Sequence, residues 1–325
     1  MFVTENLRMS LSLDLDNKWS YLKTHGSDGW KDFPSYLDVA VPRILDFLRE
    51  RDLRITFFIV GQDAALDKNR DALVQIREAG HEIASHSFNH EPWLHLYDEA
   101  QLSEELEKAE DAIEKATGVR VKGFRGPGFS LSEGTLRVLH RRGYDYDATA
   151  FPNVLNPLAR AYFFANSNLS DEEKERRKAL FGSFSDAFRP VKPYRWRLED
   201  GHLLELPVTT MPVFKTPIHF SYLIYLASFS AAAARMYARV AIGMCRLTST
   251  EPSLLLHPLD FLGVEDGTGL DFFPAMKMPV AQKLDLMDGF FSLLLSRFRP
   301  CPIGEYLDGL MNDGALRSYR PQFSH

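Results

Sequence analysis

Short apolar, β-branched runs alternate with helix-forming stretches along most of this chain, and that rhythm limits the available folds more than any other feature. Strand-like runs fall at 9–16, 55–60, 81–86, 121–124, 144–148, 203–209 and 253–257. Between them the spacing predicts helices. One runs from Ser35 to about Asp52, with Leu37, Val41, Ile44, Leu45 and Leu48 on one face and Pro42 tolerated as a kink. Others cover 69–79 before Gly80, 98–117 before Gly118, and a stretch capped by Ser132 and ended by Gly143. Further helices are expected over 218–234, 280–298 and 304–310. About seven strands separated by helices imply parallel pairing with right-handed crossovers, hence a barrel or a doubly wound sheet. No glycine-rich phosphate loop follows the first strand, which weighs against a nucleotide-binding sheet. A barrel places its chemistry at the C-terminal strand ends.

Those ends carry the strongest polar groups. In the first strand Met9, Leu11, Leu13 and Leu15 share one face, and Ser10, Ser12, Asp14 and Asp16 share the other. Two carboxylates side by side on a buried strand repel each other, so a cation or an arginine must lie beside them. The third strand ends in His86-Ser87-Phe88-Asn89-His90, the fourth in Arg125-Gly126-Pro127-Gly128-Phe129, and the last in His257-Pro258-Leu259-Asp260. His86 and His90 can reach one point, with Asp16 as a third ligand. Two imidazoles and a carboxylate suit one catalytic divalent metal, zinc first, with cobalt, nickel or manganese as alternatives.

In this order the motifs resemble the polysaccharide deacetylase (NodB-homology) superfamily, carbohydrate esterase family 4. The matching segments are Asp14-Leu15-Asp16, His86 to His90, Arg125-Gly126-Pro127 and Leu254-Leu255-Leu256-His257. The resemblance covers about 7–310 and implies a distorted (β/α)7-type, TIM-like barrel that hydrolyses an amide with a metal. It implies Asp14 as general base, Asp16, His86 and His90 as metal ligands, and Arg125 as the partner of Asp14. It further implies His257 as general acid and the Gly128 N–H, next to Phe129, as oxyanion donor. Amide hydrolysis needs these parts: an activated water, a base, positive charge for the oxyanion and an acid for the amine. The commonest family pattern has adjacent aspartates. The D-x-D spacing here resembles outlying branches, among them lipid-linked sugar deformylases, peptidoglycan-deacetylase-like proteins and allantoinase-like cyclic amide hydrolases. The family segment ending in Asp-Trp is missing, leaving Asp147 and Asp260 as alternatives for orienting His257.

Composition narrows the rest. Net charge of −6 and a pI near 6.0 exclude an electrostatically driven nucleic-acid binder. Two cysteines, Cys245 and Cys301, exclude a disulfide framework, and neither has a motif for thiol catalysis. The N-terminus reads as lacking a signal peptide, giving a cytoplasmic expectation with association at the inner membrane face as an alternative. The run 218–234 has no formal charge and is followed by Arg235 and Arg239, so it reads as a buried or surface-docked helix capable of peripheral membrane contact. Residues 17–34 read as a loop whose Trp19 and Trp30 either stack on substrate or cover the core. Residues 153–200, with the charge run 171–178 as a solvated helix, read as an insertion in a single domain. The expected activity is N-deacetylation or N-deformylation of an amino sugar in a glycan or lipid-linked precursor. A small cyclic amide hydrolase and a non-catalytic glycan-binding protein are the alternatives.

Overall fold

A computed structural model describes residues 7–155, 187–311 and 316–323. Its centre is a run of parallel strands: β1 (Leu7–Asp14), β2 (Thr56–Ile59), β3 (Glu82–Ser85), β4 (Gly123–Phe124), β5 (Tyr146–Asp147), β7 (His202–Glu205) and β8 (Ser253–Leu256). Neighbours follow the order β8-β1-β2-β3-β4-β5-β7. The two ends of this run meet where Thr209 N donates to Ser253 O at 2.9 Å and Ser253 N donates to the Thr209 hydroxyl at 2.7 Å. The ring is thus closed by single bonds beyond β7 rather than by a full ladder, the distortion expected of the (β/α)7 barrel. Outside it, β6 (Tyr194–Arg197) pairs antiparallel with β7, β9 (Phe298–Cys301) pairs with residues 7–10 of β1, and β10 (Ser318–Tyr319) pairs with β6.

The helices are α1 (Lys18–His25), α2 (Leu37–Arg49), α3 (Gly61–Ala64), α4 (Arg70–Glu78), α5 (Glu99–Thr117), α6 (Glu133–Arg142), α7 (Phe220–Phe229), α8 (Ala231–Leu247), α9 (Val280–Leu295) and α10 (Ile303–Met311). Their apolar stripes cover the outward strand faces, so Met9, Leu11, Leu13 and Leu15 pack in one cluster with Ile44, Leu48, Ile76 and Ile113. Each such side chain contributes about 1.5–3 kcal/mol relative to exposure. Inside the ring, Phe58, Ala84, Tyr146 and Leu204 pack against Ile303, Tyr306 and Leu307 of α10. That helix plugs the N-terminal end and leaves the C-terminal end for the site.

Several expectations are corrected. The supposed loop 17–34 contains α1, because the Asn17 side chain accepts from Lys18 N at 2.8 Å and Gly26 ends the helix in the left-handed region at φ 85°; a 3-10 turn, Asp28–Asp32, follows. The apolar run 218–234 is two helices, broken at Ser230, whose extended backbone lets its hydroxyl cap Ala233 N. Among the described residues no helix is long and apolar enough to cross a membrane. The helix expected over 280–298 stops at Leu295, since Phe298 turns back as β9 along β1. Within the expected insertion, Tyr194 and Trp196 are buried on β6. The charge run 171–178 lies outside the described residues.

Candidate active site

The two aspartates of the first strand have separate partners. Asp14 ends β1, and the Arg125 guanidinium donates from Nη1 to its Oδ1 at 2.6 Å and to Ser12 Oγ at 2.9 Å. Arg125 is 0% exposed, donates from Nε to Ala148 O at 2.8 Å and lies 4.2 Å over the Phe58 ring. Removing such a charge from water is costly, so the pair holds only because each partner is held.

Asp16 lies two residues past the strand and turns the other way. Its Oδ1 is 2.9 Å from His90 Nε2 and 3.3 Å from His86 Nε2. All three side chains are buried, and their ligand atoms fall within 4.8 Å of one another. Burial alone would raise the Asp16 carboxyl, but His90 and His86 together hold it well below the usual range. His86 Nδ1 donates to Arg125 O at 2.7 Å, which leaves its Nε2 lone pair facing Asp16. The donor set therefore fits a divalent metal on its own geometry.

The His86-to-His90 turn is strained into shape, with Ser87 at φ 62° and His90 at φ 51°. Buried Glu105, from α5, holds it by accepting from Phe88 N at 2.9 Å, Asn89 N at 2.6 Å and Asn89 Nδ2 at 2.6 Å. On the other side Tyr36 donates to Asp16 O at 2.6 Å, and the Tyr21 hydroxyl lies against the Asp16 carboxylate. Asp63 Oδ1 accepts from Asn17, Trp19 and Asn69 at 2.7, 2.9 and 3.0 Å. Burial pushes the Asp63 carboxyl up to about 7 against the pull of these donors.

His257 follows β8 and is half-buried. Its N–H donates to Asp260 Oδ2 at 2.8 Å, and its Nδ1 lies 2.9 Å from the hydroxyl of Ser221 on α7. Ser221 also hydrogen-bonds to the Asp260 carboxylate. The His219 ring stands 6.5 Å away and is pushed down to about 3, chiefly by burial and further by His257.

Of the two residues considered for orienting His257, Asp260 accepts from the His257 backbone N–H and not from its ring. Asp147 instead accepts from the Thr149 hydroxyl and faces Glu205, with burial raising Asp147 to about 6. Glu205 rises well above the usual carboxylate range, through burial and then Asp147. Trp19 is 1% exposed, gives its indole N–H to Asp63 and sets an edge against His90, so it cannot stack on substrate. Trp30 is half-buried with Lys23 Nζ 5.2 Å from its ring centre. Gly128 is exposed at φ 59°, and a Cβ there would meet Pro92 at 2.9 Å. Phe129 is half-buried against Phe151 at 4.4 Å. Ser221, Glu105, Tyr36 and Asp63 are site residues that sequence reasoning missed. Each acts through a contact far along the chain, and no local pattern marks it.

Residues 28–146 match the family model for polysaccharide deacetylase. A peptidoglycan deacetylase of Helicobacter pylori is 24% identical over 207 residues, 61% of this chain and 68% of that protein. A chitin deacetylase of Colletotrichum lindemuthianum is 31% identical over 106 residues, 32% of this chain and 42% of that protein. A crystal structure of a polysaccharide deacetylase from Mycobacterium smegmatis shares the fold at a TM-score of 0.63 and 18% identity, covering 100% of this chain and 96% of that one. These likenesses lead to one conclusion: residues 28–146 match the polysaccharide deacetylase family, within a fold shared with a structure described as a polysaccharide deacetylase.

Proposed function

We propose that the protein is a metal-dependent N-deacylase that removes an acetyl or formyl group from an amino sugar of a glycan or lipid-linked precursor. The observation that carries this reading is the division of β1's two carboxylates, Asp14 to the buried Arg125 and Asp16 to the His86–His90 pair. A metal needs the second group, and a base kept ionised needs the first.

Asp16, His86 and His90 would hold a divalent ion, which would supply positive charge for the carbonyl oxygen and lower the pKa of a nearby water. Asp14 takes the proton of the attacking water. Arg125 fixes the direction of Asp14 by pairing with one carboxylate oxygen. As the water oxygen bonds to the acyl carbon, the Gly128 N–H is offered to the growing oxyanion. His257 Nε2 then delivers a proton to the departing nitrogen, so the C–N bond breaks to give carboxylate and free amine. Ser221 meets His257 at Nδ1, and Asp260 holds the His257 backbone rather than its ring, an arrangement unlike the carboxylate-imidazole-hydroxyl order of a serine triad.

The test is release of acetate or formate from N-acetylated chito-oligosaccharides, N-formyl hexosamines and cyclic amides by the metal-loaded protein. Asp14→Asn is expected to lower turnover by about a thousandfold or more with bound metal unchanged by elemental analysis. Equal turnover by that variant would remove Asp14 as the base, and preference for cyclic amides would overturn the amino-sugar reading.

A further inference from the structure

One segment of this acidic chain departs from the rest. Residues 206–250 contain no aspartate or glutamate, yet carry Lys215, Arg235, Arg239 and Arg246 within a protein of net charge −6. The same segment holds six of the ten exposed large apolar side chains among the described residues: Val213, Phe214, Phe229, Met236, Val240 and Leu247. Phe229, at the α7–α8 junction, is 75% exposed, Met236 64% and Leu247 83%.

Along α8 these residues are ordered. At about 100° per residue, Met236, Val240, Gly243 and Leu247 fall within an arc of roughly 60°. Arg235, Arg239 and Arg246 form a second exposed row beside them, about 60–100° from Met236. The opposite side of the helix, with Ala234, Ala238, Ala241, Ile242 and Cys245, is buried in the protein. Arg235 has one acidic neighbour, Asp285 at 3.3 Å, but both are exposed and such pairs contribute little. An apolar row flanked by cations on a helix lying flat on its protein is the pattern that enters a headgroup region, with the arginines reaching phosphates. A protein partner would not require the complete loss of acidic residues over this length; a negatively charged bilayer does favour it.

We propose that the exposed face of α8, with Phe229 at its start, docks the protein on an anionic phospholipid surface. The proposal does not depend on amide hydrolysis, and its test uses no substrate.

The full chain should co-sediment with phosphatidylcholine vesicles containing phosphatidylglycerol, bind pure phosphatidylcholine weakly, and be released by salt. Arg239→Gln with Arg246→Gln should weaken binding by about fivefold per charge removed. Met236→Ser with Leu247→Ser should weaken it by about tenfold or more at any salt concentration. Both pairs are exposed, so circular dichroism and the thermal transition should match the parent protein. No binding to anionic vesicles, or binding indifferent to both pairs of substitutions, overturns the proposal. So does a dimer in sedimentation velocity that the Met236→Ser/Leu247→Ser protein loses, with no vesicle binding, which would assign the face to a second copy of this chain.

Discussion

The two halves of the candidate site are built differently. In the half proposed to hold base and metal, Asp14, Asp16, His86, His90 and Arg125 are all buried, and each leaves or closely follows a barrel strand. In the half proposed to supply the acid, His257 is half-buried, with its Nδ1 beside the Ser221 hydroxyl of α7 and its backbone N–H on the Asp260 carboxylate. In the proposed mechanism the first half must hold metal and attacking water in place. The second, as the proposed acid, must meet a departing amine, so it needs access to the cleft. Rigidity thus follows the groups that fix position, and openness follows the group proposed to meet the leaving amine.

The sharpest way to break that contrast is Arg125→Leu. It leaves Asp14 buried without a partner, so a loss of about 3–5 kcal/mol in denaturant unfolding is expected together with abolished turnover. His257→Gln should separate the halves: turnover falls about a hundredfold or more, while the thermal transition and metal content stay as in the parent protein. A stability loss comparable to that of Arg125→Leu would show that His257 is a structural group.

A smaller effect is expected at Ser221. Without its hydroxyl the His257 ring has lost the contact at Nδ1, so Ser221→Ala should cost roughly tenfold in turnover. Nitrogen NMR shifts of the imidazole should show a mixture of tautomers in that variant. Unchanged shifts would assign Ser221 to helix packing alone.

The smallest change concerns the carboxyl pair beneath Arg125. Asp147 titrates near 6 in the folded protein and at 3.8 when unperturbed, and Glu205 is raised beside it. The native state therefore binds more protons than the unfolded state across that range, and stability falls as pH rises from about 4 through about 6. Asp147→Asn should flatten this slope. A thermal-melt series against pH that keeps the parent slope would refute the coupling.

Much of the barrel was legible because its strands and helices are local. Leu102, Leu106, Ala109 and Ile113 mark α5 by spacing, and Gly118 ends it by its left-handed backbone. The D-x-D and H-x3-H spacings likewise declare which side chains can share a strand face or a turn. What failed were judgements that depend on context. Trp19 has the composition of a stacking residue, but Asp63, 44 positions away, captures its indole N–H. The apolar run after 218 has the length for one helix, but Ser230 caps a second one.

The order of chemistry-bearing strand ends, and hence the barrel and its candidate metal and base groups, was legible in the sequence alone, because periodicity and short spacings act over a few residues. Only the tertiary structure decided that Asp16 turns to the histidines while Asp14 turns to Arg125. The same holds for the placing of Ser221 and Asp260 around His257 and for Glu105 bracing the histidine turn. Those choices depend on which distant groups satisfy a buried charge or hydrogen bond, and such partners exist only once the ring has closed.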